Sequence, residues 1–485
     1  MEDRLMVSVS GVRGTIGGTL TPRIAMEFGL AYGTMLNRRA NATPKQPAVV
    51  IGRDTRPSGA MIASAVAAGL MATGVNVVDL GIVTTPGTAY MAVKLGCQGG
   101  VIVTASHNPP LYNGIKFLQP NGCCLPADQA NELTAIWQRG QFDLVNFAGV
   151  GSQTRNGTTH GLHADAVCGL VDVKLIASRR IKVVLDSING AGCVVSPMLL
   201  GRLGAELAHL NADPNGQFAH EPEPIQPNLT GLCEAVRRHR AAVGFAQDPD
   251  ADRLVVVDEQ GNFIGEEYTL ALATAFVLRH RKGDVATNLA TSRMIDEVAK
   301  AAGVSVRRAP TGEANVVETM LREGCMFGGE GNGGVIDPRV HMGRDALIGM
   351  ALALQLMLET GKPLSRLAAE IPAYHISKQK IDCTKMQVAP ALEALAGMKA
   401  NAVDTRDGVK LDFDDGWVHV RPSNTEPIAR VYAEARTRAR AHALATKYRR
   451  WVEGHMAKRK AMGPGRNPAP SASAGRKPAH APQPR

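Results

Sequence analysis

The sequence predicts an α/β protein of several domains: three α/β units of similar plan with mixed, mostly parallel sheets, then a smaller α+β unit. Three observations carry this. A chain of 485 residues exceeds what one hydrophobic core serves, so two to four domains are expected. A hydrophobic content of 45% with only 4% aromatics suits cores built from Ala, Val, Leu and Gly. Short β-branched runs alternate with helical stretches, the pattern of βαβ units.

The first unit opens on Ser8-Val9-Ser10-Gly11-Val12-Arg13-Gly14-Thr15. Glycine lets backbone approach a ligand closely and a guanidinium suits phosphate. Ala48 to Gly52 is a strand, followed by Arg53-Asp54-Thr55-Arg56-Pro57-Ser58, an Ala-rich helix from Gly59 to Thr73 and a strand from Asn76 to Leu80. The next apolar run, Gly100-Val101-Ile102-Val103-Thr104, leads into Ala105-Ser106-His107-Asn108-Pro109-Pro110. Proline lacks an N–H and pushes its predecessor out of the helical region, so the strand stops there. Ser106 is thereby presented on a tight loop at the end of a core strand, where open α/β sheets place their ligands. Asn113-Gly114-Ile115-Lys116 predicts a turn and then a cation returning toward Ser106.

Gly149 to Thr159 is polar and Gly-rich, a boundary. A second unit starts with the strand Ile181 to Asp186 and a helical run to Leu203, and a third with Asp284 to Asn288 before a helix from Ser292 to Ala302. From Ala373 the pattern changes to strands followed by a basic helix ending near Trp451.

Three more polar clusters follow predicted strands. In Asp248-Pro249-Asp250-Ala251-Asp252-Arg253, an extended backbone would turn three carboxylates to one side. Massed carboxylates require a cation, and hard oxygen ligands select Mg²⁺ or Ca²⁺. A calcium EF-hand is the rival, with Glu259 at its twelfth loop position. Arg253 stands where that loop needs glycine, and Leu254-Val255-Val256-Val257 continues as a strand, which opposes it. Gly328-Gly329-Glu330-Gly331-Asn332-Gly333-Gly334 can fit tightly round a polar ligand, with Glu330 and Asn332 bonding neighbouring hydroxyls; the alternative is a hinge. Arg421-Pro422-Ser423-Asn424-Thr425-Glu426-Pro427, with Arg430 beyond, suits a phosphate cradle. The alternative there is a capping box, Ser423 to Glu426, opening a helix.

No apolar stretch reaches membrane-spanning length, and the acidic start lacks a signal-peptide apolar region, so a cytoplasmic protein is expected. The eight cysteines have no C-x-x-C spacing and predict neither a zinc site nor a disulfide framework. The formal charge of +10 is concentrated beyond Met456, where seven Lys/Arg and no acids leave the body near +3. That Pro-rich tail is expected to be disordered, touching RNA or anionic surfaces only weakly.

Taken together, these clusters supply a hydroxyl nucleophile, a metal-binding triad, a polyol-reading loop and a phosphate anchor, as phosphoryl transfer requires. The set Thr104–Pro109, Asp248–Arg253, Gly329–Gly333 and Arg421–Pro427 resembles the α-D-phosphohexomutases, in the family's order, from about Val9 to Ala435. The resemblance implies three α/β domains (1–155, 156–257, 258–372) and a C-terminal α+β domain (373–456) around a central cleft, before a disordered basic tail (457–485).

By the same resemblance, Ser106 would be phosphorylated, and Asp248, Asp250 and Asp252, with that phosphate, would hold Mg²⁺. Arg253 would sit beside them. Lys116, Arg13 and His107 would serve proton transfer and charge stabilisation. Glu313, Glu330 and Asn332 would read sugar hydroxyls, while Arg421, Ser423, Asn424, Thr425 and Arg430 would grip the phosphate that is not reacting. The substrate would be a hexose phosphate. Many relatives have Ser at position 332, His at 334 and, in some phosphomannomutase-type members, His at 313. Their absence tilts the expectation toward glucosamine phosphate over mannose or glucose phosphate. A metal-dependent phosphatase and a non-catalytic sugar-phosphate-binding protein are the rivals from other classes. A monomer or homodimer is expected.

Overall fold

The structure, a computed structural model, describes residues 4–39, 46–423 and 427–462, with side chains to residue 457. Asn424, Thr425 and residues 463–485 lie outside the described residues.

Domain I is a seven-stranded sheet of order β1-β2-β6-β5-β3-β4-β7. Its strands are β1 (Met6–Ser8), β2 (Gly11–Thr15), β3 (Ala48–Arg53), β4 (Asn76–Ile82), β5 (Gly99–Val103), β6 (Tyr112–Leu118) and β7 (Gln153–Arg155). β5, β3, β4 and β7 run parallel, while β1, β2 and β6 add an antiparallel flank. The sheet is therefore mixed. Asn113 and Gly114 are not a turn but lie inside β6, paired with Gly14 and Arg13 of β2. The chain reverses earlier, where Pro109 C=O accepts from Tyr112 N–H at 3.0 Å. The prolines, and not the Asn-Gly pair, make the reversal.

Domain II pairs β8 (Lys182–Asp186), β9 (Glu206–Leu210), β10 (Val243–Gln247) and β11 (Leu254–Val257) in the order β11-β10-β8-β9. β10 and β11 form an antiparallel hairpin, so the EF-hand reading is excluded; Glu259 instead accepts from Ser365. Domain III repeats the plan with β12 (Val285–Asn288), β13 (Val306–Ala309), β14 (Phe327–Glu330) and β15 (Gly334–Ile336) in the order β13-β12-β14-β15. In each, the polar loop joins the two strands of an antiparallel pair at one edge.

Domain IV is an antiparallel sheet of order β16-β20-β19-β18-β17, from β16 (His375–Asp382), β17 (Ala402–Asp404), β18 (Val409–Phe413), β19 (Gly416–Pro422) and β20 (Ile428–Ala435). The capping-box reading rests on Glu426, which with Asn424 and Thr425 lies outside the described residues; β20 begins at Ile428. The last helix runs Arg438–Met462, six residues into the stretch expected to be disordered. Its Tyr448 and Val452 are buried against the sheet of domain IV, and that packing anchors the continuing turns.

One apolar cluster spans domains II and III, from Val183, Phe245 and Val256 to Leu270, Phe327 and Leu347. Domains I and IV have clusters of their own. Among the described residues no helix is long and apolar enough to cross a membrane.

Candidate active site

Ser106 lies at the C-terminal end of β5 with φ of 48°, a left-handed conformation uncommon for a residue with a side chain. Its Oγ donates to Asp248 Oδ2 at 2.9 Å and lies 3.4 Å from His107 Nδ1. The Arg253 cation, then burial and the Arg13 cation, hold His107 well below the usual imidazole range, so its ring is neutral. Arg13, on β2, donates from Nη1 to Asn108 Oδ1 at 2.7 Å. Lys116, on β6, places Nζ 3.2 Å from Asp250 Oδ2 and 3.9 Å from Asp252 Oδ2. Burial opposes its charge, but Asp250 and Asp252 outweigh that and raise its pKa, so the ammonium persists.

The three aspartates converge through a turn, not through the alternation of an extended strand. Asp248 C=O accepts from Ala251 N–H at 2.9 Å, and Ala251 has φ of 55°. The loop is keyed to three domains through its carbonyls. Pro249 accepts from Ala191 of domain II (2.8 Å), Asp250 from Thr85 of domain I (3.0 Å) and Ala251 from Ala346 of domain III (3.2 Å). One oxygen from each carboxylate lies within 4.8 Å of the others, all buried. Asp250 Oδ1 and Asp252 Oδ1 have no hydrogen-bond partner among the described residues. Burial, then Asp250 and Asp252, push Asp248 well above the usual carboxylate range. Burial also acts on Asp250, but Lys116 and the Thr85 hydroxyl, at 2.7 Å, outweigh it and lower its pKa. Three buried carboxylates with orphaned oxygens are a donor set that fits a hard divalent cation.

Leu254 N–H, just past this loop, donates to Gly333 C=O at 3.0 Å. A Cβ on Gly333 (φ 89°) would lie 2.3 Å from Leu254 O, so only glycine allows the sugar-loop backbone this close. Glu330 is buried and accepts from Asn288 Nδ2 (2.6 Å), Gly312 N–H (3.2 Å) and Arg344 Nη1 (3.0 Å). Asn332 Nδ2 is 3.4 Å from Glu330 Oε2. Glu313 pairs with Arg344 Nε at 2.8 Å; Arg344 and Lys116 overcome its burial and lower its pKa. Arg344 also reaches Asp252 Oδ2 at 2.5 Å, joining the aspartate loop to both Glu313 and Glu330. Arg253 is 3.8 Å from the same aspartate, on Oδ1.

On domain IV, Arg421 and Arg430 are direct cross-strand partners. Like charges placed so are destabilising unless an anion joins them. Asp407 lies 2.8 Å from Arg421 Nε and also accepts from Thr311 N–H of domain III at 3.0 Å. Ser423 N–H donates to Ile428 C=O at 2.8 Å, closing the loop mouth.

The family description "Phosphoglucomutase/phosphomannomutase" matches along the chain: alpha/beta/alpha domain I over residues 4–143, domain II over 162–261, domain III over 265–374 and the C-terminal domain over 380–450. A phosphoglucomutase/phosphomannomutase of Thermococcus kodakarensis is 40% identical over 89% of this chain and 94% of the relative. The chain belongs to the phosphoglucomutase/phosphomannomutase family. A probable phosphoglucosamine mutase of Methanopyrus kandleri is 38% identical over 92% and 98% of the two chains. The crystal structure of a phosphoglucomutase/phosphomannomutase family protein from Burkholderia thailandensis superposes with a TM-score of 0.81 at 29% identity, covering 93% of this chain and 97% of that one.

In this phosphohexomutase, sequence reasoning missed Arg344, Thr85 and the Asp54–Arg56 pair. Arg344 carries no local signal; it sits in Gly343-Arg344-Asp345 ahead of an apolar helix and acts on residues 14 to 92 positions away. Arg56 had one, as a charged residue directly after a core strand in the same kind of loop as Ser106.

Proposed function

We propose that the chain interconverts glucosamine 6-phosphate and glucosamine 1-phosphate through a phosphoserine at Ser106 and a bisphosphorylated sugar. Phosphohexomutase activity follows from family membership. The observation that carries the site assignment is Ser106 Oγ at 2.9 Å from Asp248, inside a cluster of three buried carboxylates. Asp248, Asp250 and Asp252 would hold Mg²⁺. When bound, that ion neutralises charge on the transferring phosphoryl group.

The remaining work belongs to the chain's side chains. The P–O bond to Ser106 Oγ breaks as a P–O bond to a sugar hydroxyl forms; the hydroxyl proton passes to a base and Ser106 Oγ takes up a proton as it leaves, so none is gained or lost. His107, 3.4 Å from Ser106 Oγ, and Lys116 are the candidates to handle that proton. Lys116, held protonated, and Arg13 lie on the side where negative charge gathers and stabilise it. The bisphosphate then presents its other phosphate, which returns to Ser106. Arg421, Ser423, Asn424, Thr425 and Arg430 hold whichever phosphate is not reacting, and Arg253 lies beside the reacting one. Glu313, Glu330 and Asn332 face the sugar. Glu at 313 and Gly at 334, where other members of the family carry His, support glucosamine. Glucose and mannose phosphates are the second reading, favoured by the T. kodakarensis relative.

Comparing kcat/KM for the 1-phosphates of glucosamine, mannose and glucose decides between them, with glucosamine expected highest. Excess chelator should abolish turnover and Mg²⁺ restore it. Release of inorganic phosphate without isomerisation would instead mark a phosphatase.

A further inference from the structure

Arg56 is fully buried beneath the Ser106 loop. Its Nη1 donates to the carbonyls of Pro109 (2.8 Å) and Tyr112 (2.9 Å), and its Nη2 to those of Ser106 (2.7 Å) and Asn108 (2.6 Å). Nε donates to Asp54 Oδ2 at 3.1 Å. A guanidinium has five N–H donors, and these contacts use them all. Asp54 Oδ2 also accepts from the Thr104 hydroxyl at 2.7 Å, whose oxygen accepts from Ser106 N–H at 2.9 Å. A closed circuit results: Ser106 N–H to Thr104, Thr104 to Asp54, Asp54 to Arg56, and Arg56 back to Ser106 C=O. Both peptide groups of the nucleophile are fixed from one ion pair, which is what holding a side-chain-bearing residue at φ of 48° requires. On its open side the guanidinium lies 5.0 Å from the Phe218 ring of domain II. Gly216 brings that segment so near that a Cβ there would be 2.2 Å from Thr55 O.

We propose that Arg56, through Asp54, is the positioning residue that sets the left-handed conformation of Ser106 and aims its Oγ at Asp248. Phe218 extends the hold to the domain that carries the aspartates. Arg56 binds no substrate phosphate, since it has no donor left. The inference rests on Ser106 being the phosphorylated residue.

Arg56→Lys keeps the charge and removes the fork, and Phe218→Leu removes the ring and no hydrogen bond. Phosphate transfer from glucose 1,6-bisphosphate to Ser106 is followed by mass spectrometry per folded molecule, beside kcat, KM and the melting temperature. In Arg56→Lys, kcat and the transfer rate should fall together by about 10²-fold, as misplacement by an ångström does. KM should stay within about threefold. Phe218→Leu should slow transfer by about three- to tenfold without a matching loss of folded protein. A raised KM with unchanged kcat would make Arg56 a phosphate ligand and overturn the proposal. Should Arg56→Lys not fold, Phe218→Leu decides, and a normal transfer rate there overturns it. A wild-type Ser106 that never takes up phosphate would defeat the proposed function itself; normal uptake with normal turnover in both variants would defeat only this inference.

Discussion

The seam between domains II and III and the seam between domains III and IV are made of different materials. The first is apolar: Val256 and Leu254 share a core with Leu270, Leu347 and Ile348. The second is charged. Arg293 Nη2 reaches Asp412 (2.9 Å) and the carbonyls of Phe413 (3.0 Å) and Gly416 (3.1 Å). Lys410 donates to Leu289 C=O at 3.0 Å, and Lys378 to Glu266 at 2.8 Å. Sliding an apolar seam exposes hydrocarbon and opens cavities, whereas polar partners can be exchanged for water at little cost. The loops that carry the three aspartates and Glu330 are thus borne on one body with a shared apolar core, and Arg421 on a domain joined to it through polar contacts.

Four substitutions sharpen or break this contrast. The largest effect is at the aspartate cluster that domains II and III carry, where Ser106→Ala in the facing loop of domain I should lower turnover by about 10⁴-fold or more while hexose phosphate still binds. A steady-state assay with a parallel binding titration reads both, and near-normal turnover would refute the covalent route. Next, Leu254→Ala in the shared core should cost about 3 kcal/mol of stability, seen in denaturant unfolding as one cooperative loss for domains II and III. Separate transitions would show that the core is not shared. Arg293→Ala in the polar seam should cost about 1 kcal/mol or less. Its signature is kinetic, with KM rising about fivefold at constant kcat, because only the grip on the distant phosphate changes.

A fourth substitution concerns Lys410, whose pKa burial and the Arg308 cation lower from 10.5 to about 7. Between those values the unfolded chain holds a proton that the folded one has released. Stability therefore rises with pH across that window and is flat below about 7. Lys410→Met should flatten the rise. Parallel curves for the two proteins would remove Lys410 from the account.

The loops that supply chemistry were legible because each is a short polar run directly after an apolar strand. Ser106 and the three aspartates needed no tertiary information to be noticed. Their geometry was less legible: the aspartates converge by a turn with Ala251 left-handed, a conformation no residue type there announces. Lys116 was expected after a turn, because Asn113-Gly114 reads as one locally and only the pairing with β2 makes it strand. Arg344 and Thr85 were invisible, since each matters only through partners brought close by folding. The seam between domains II and III was equally hidden, because an apolar residue does not declare which neighbour it packs against.

The shared core also sets what can be exchanged between relatives. A sugar-reading module grafted at the link between Val257 and Glu266 would be cut out through the middle of its own packing, and both halves would be left with bare hydrocarbon. Recombination within this family should therefore move domains II and III as a single cassette, with domain IV as the natural interchangeable part.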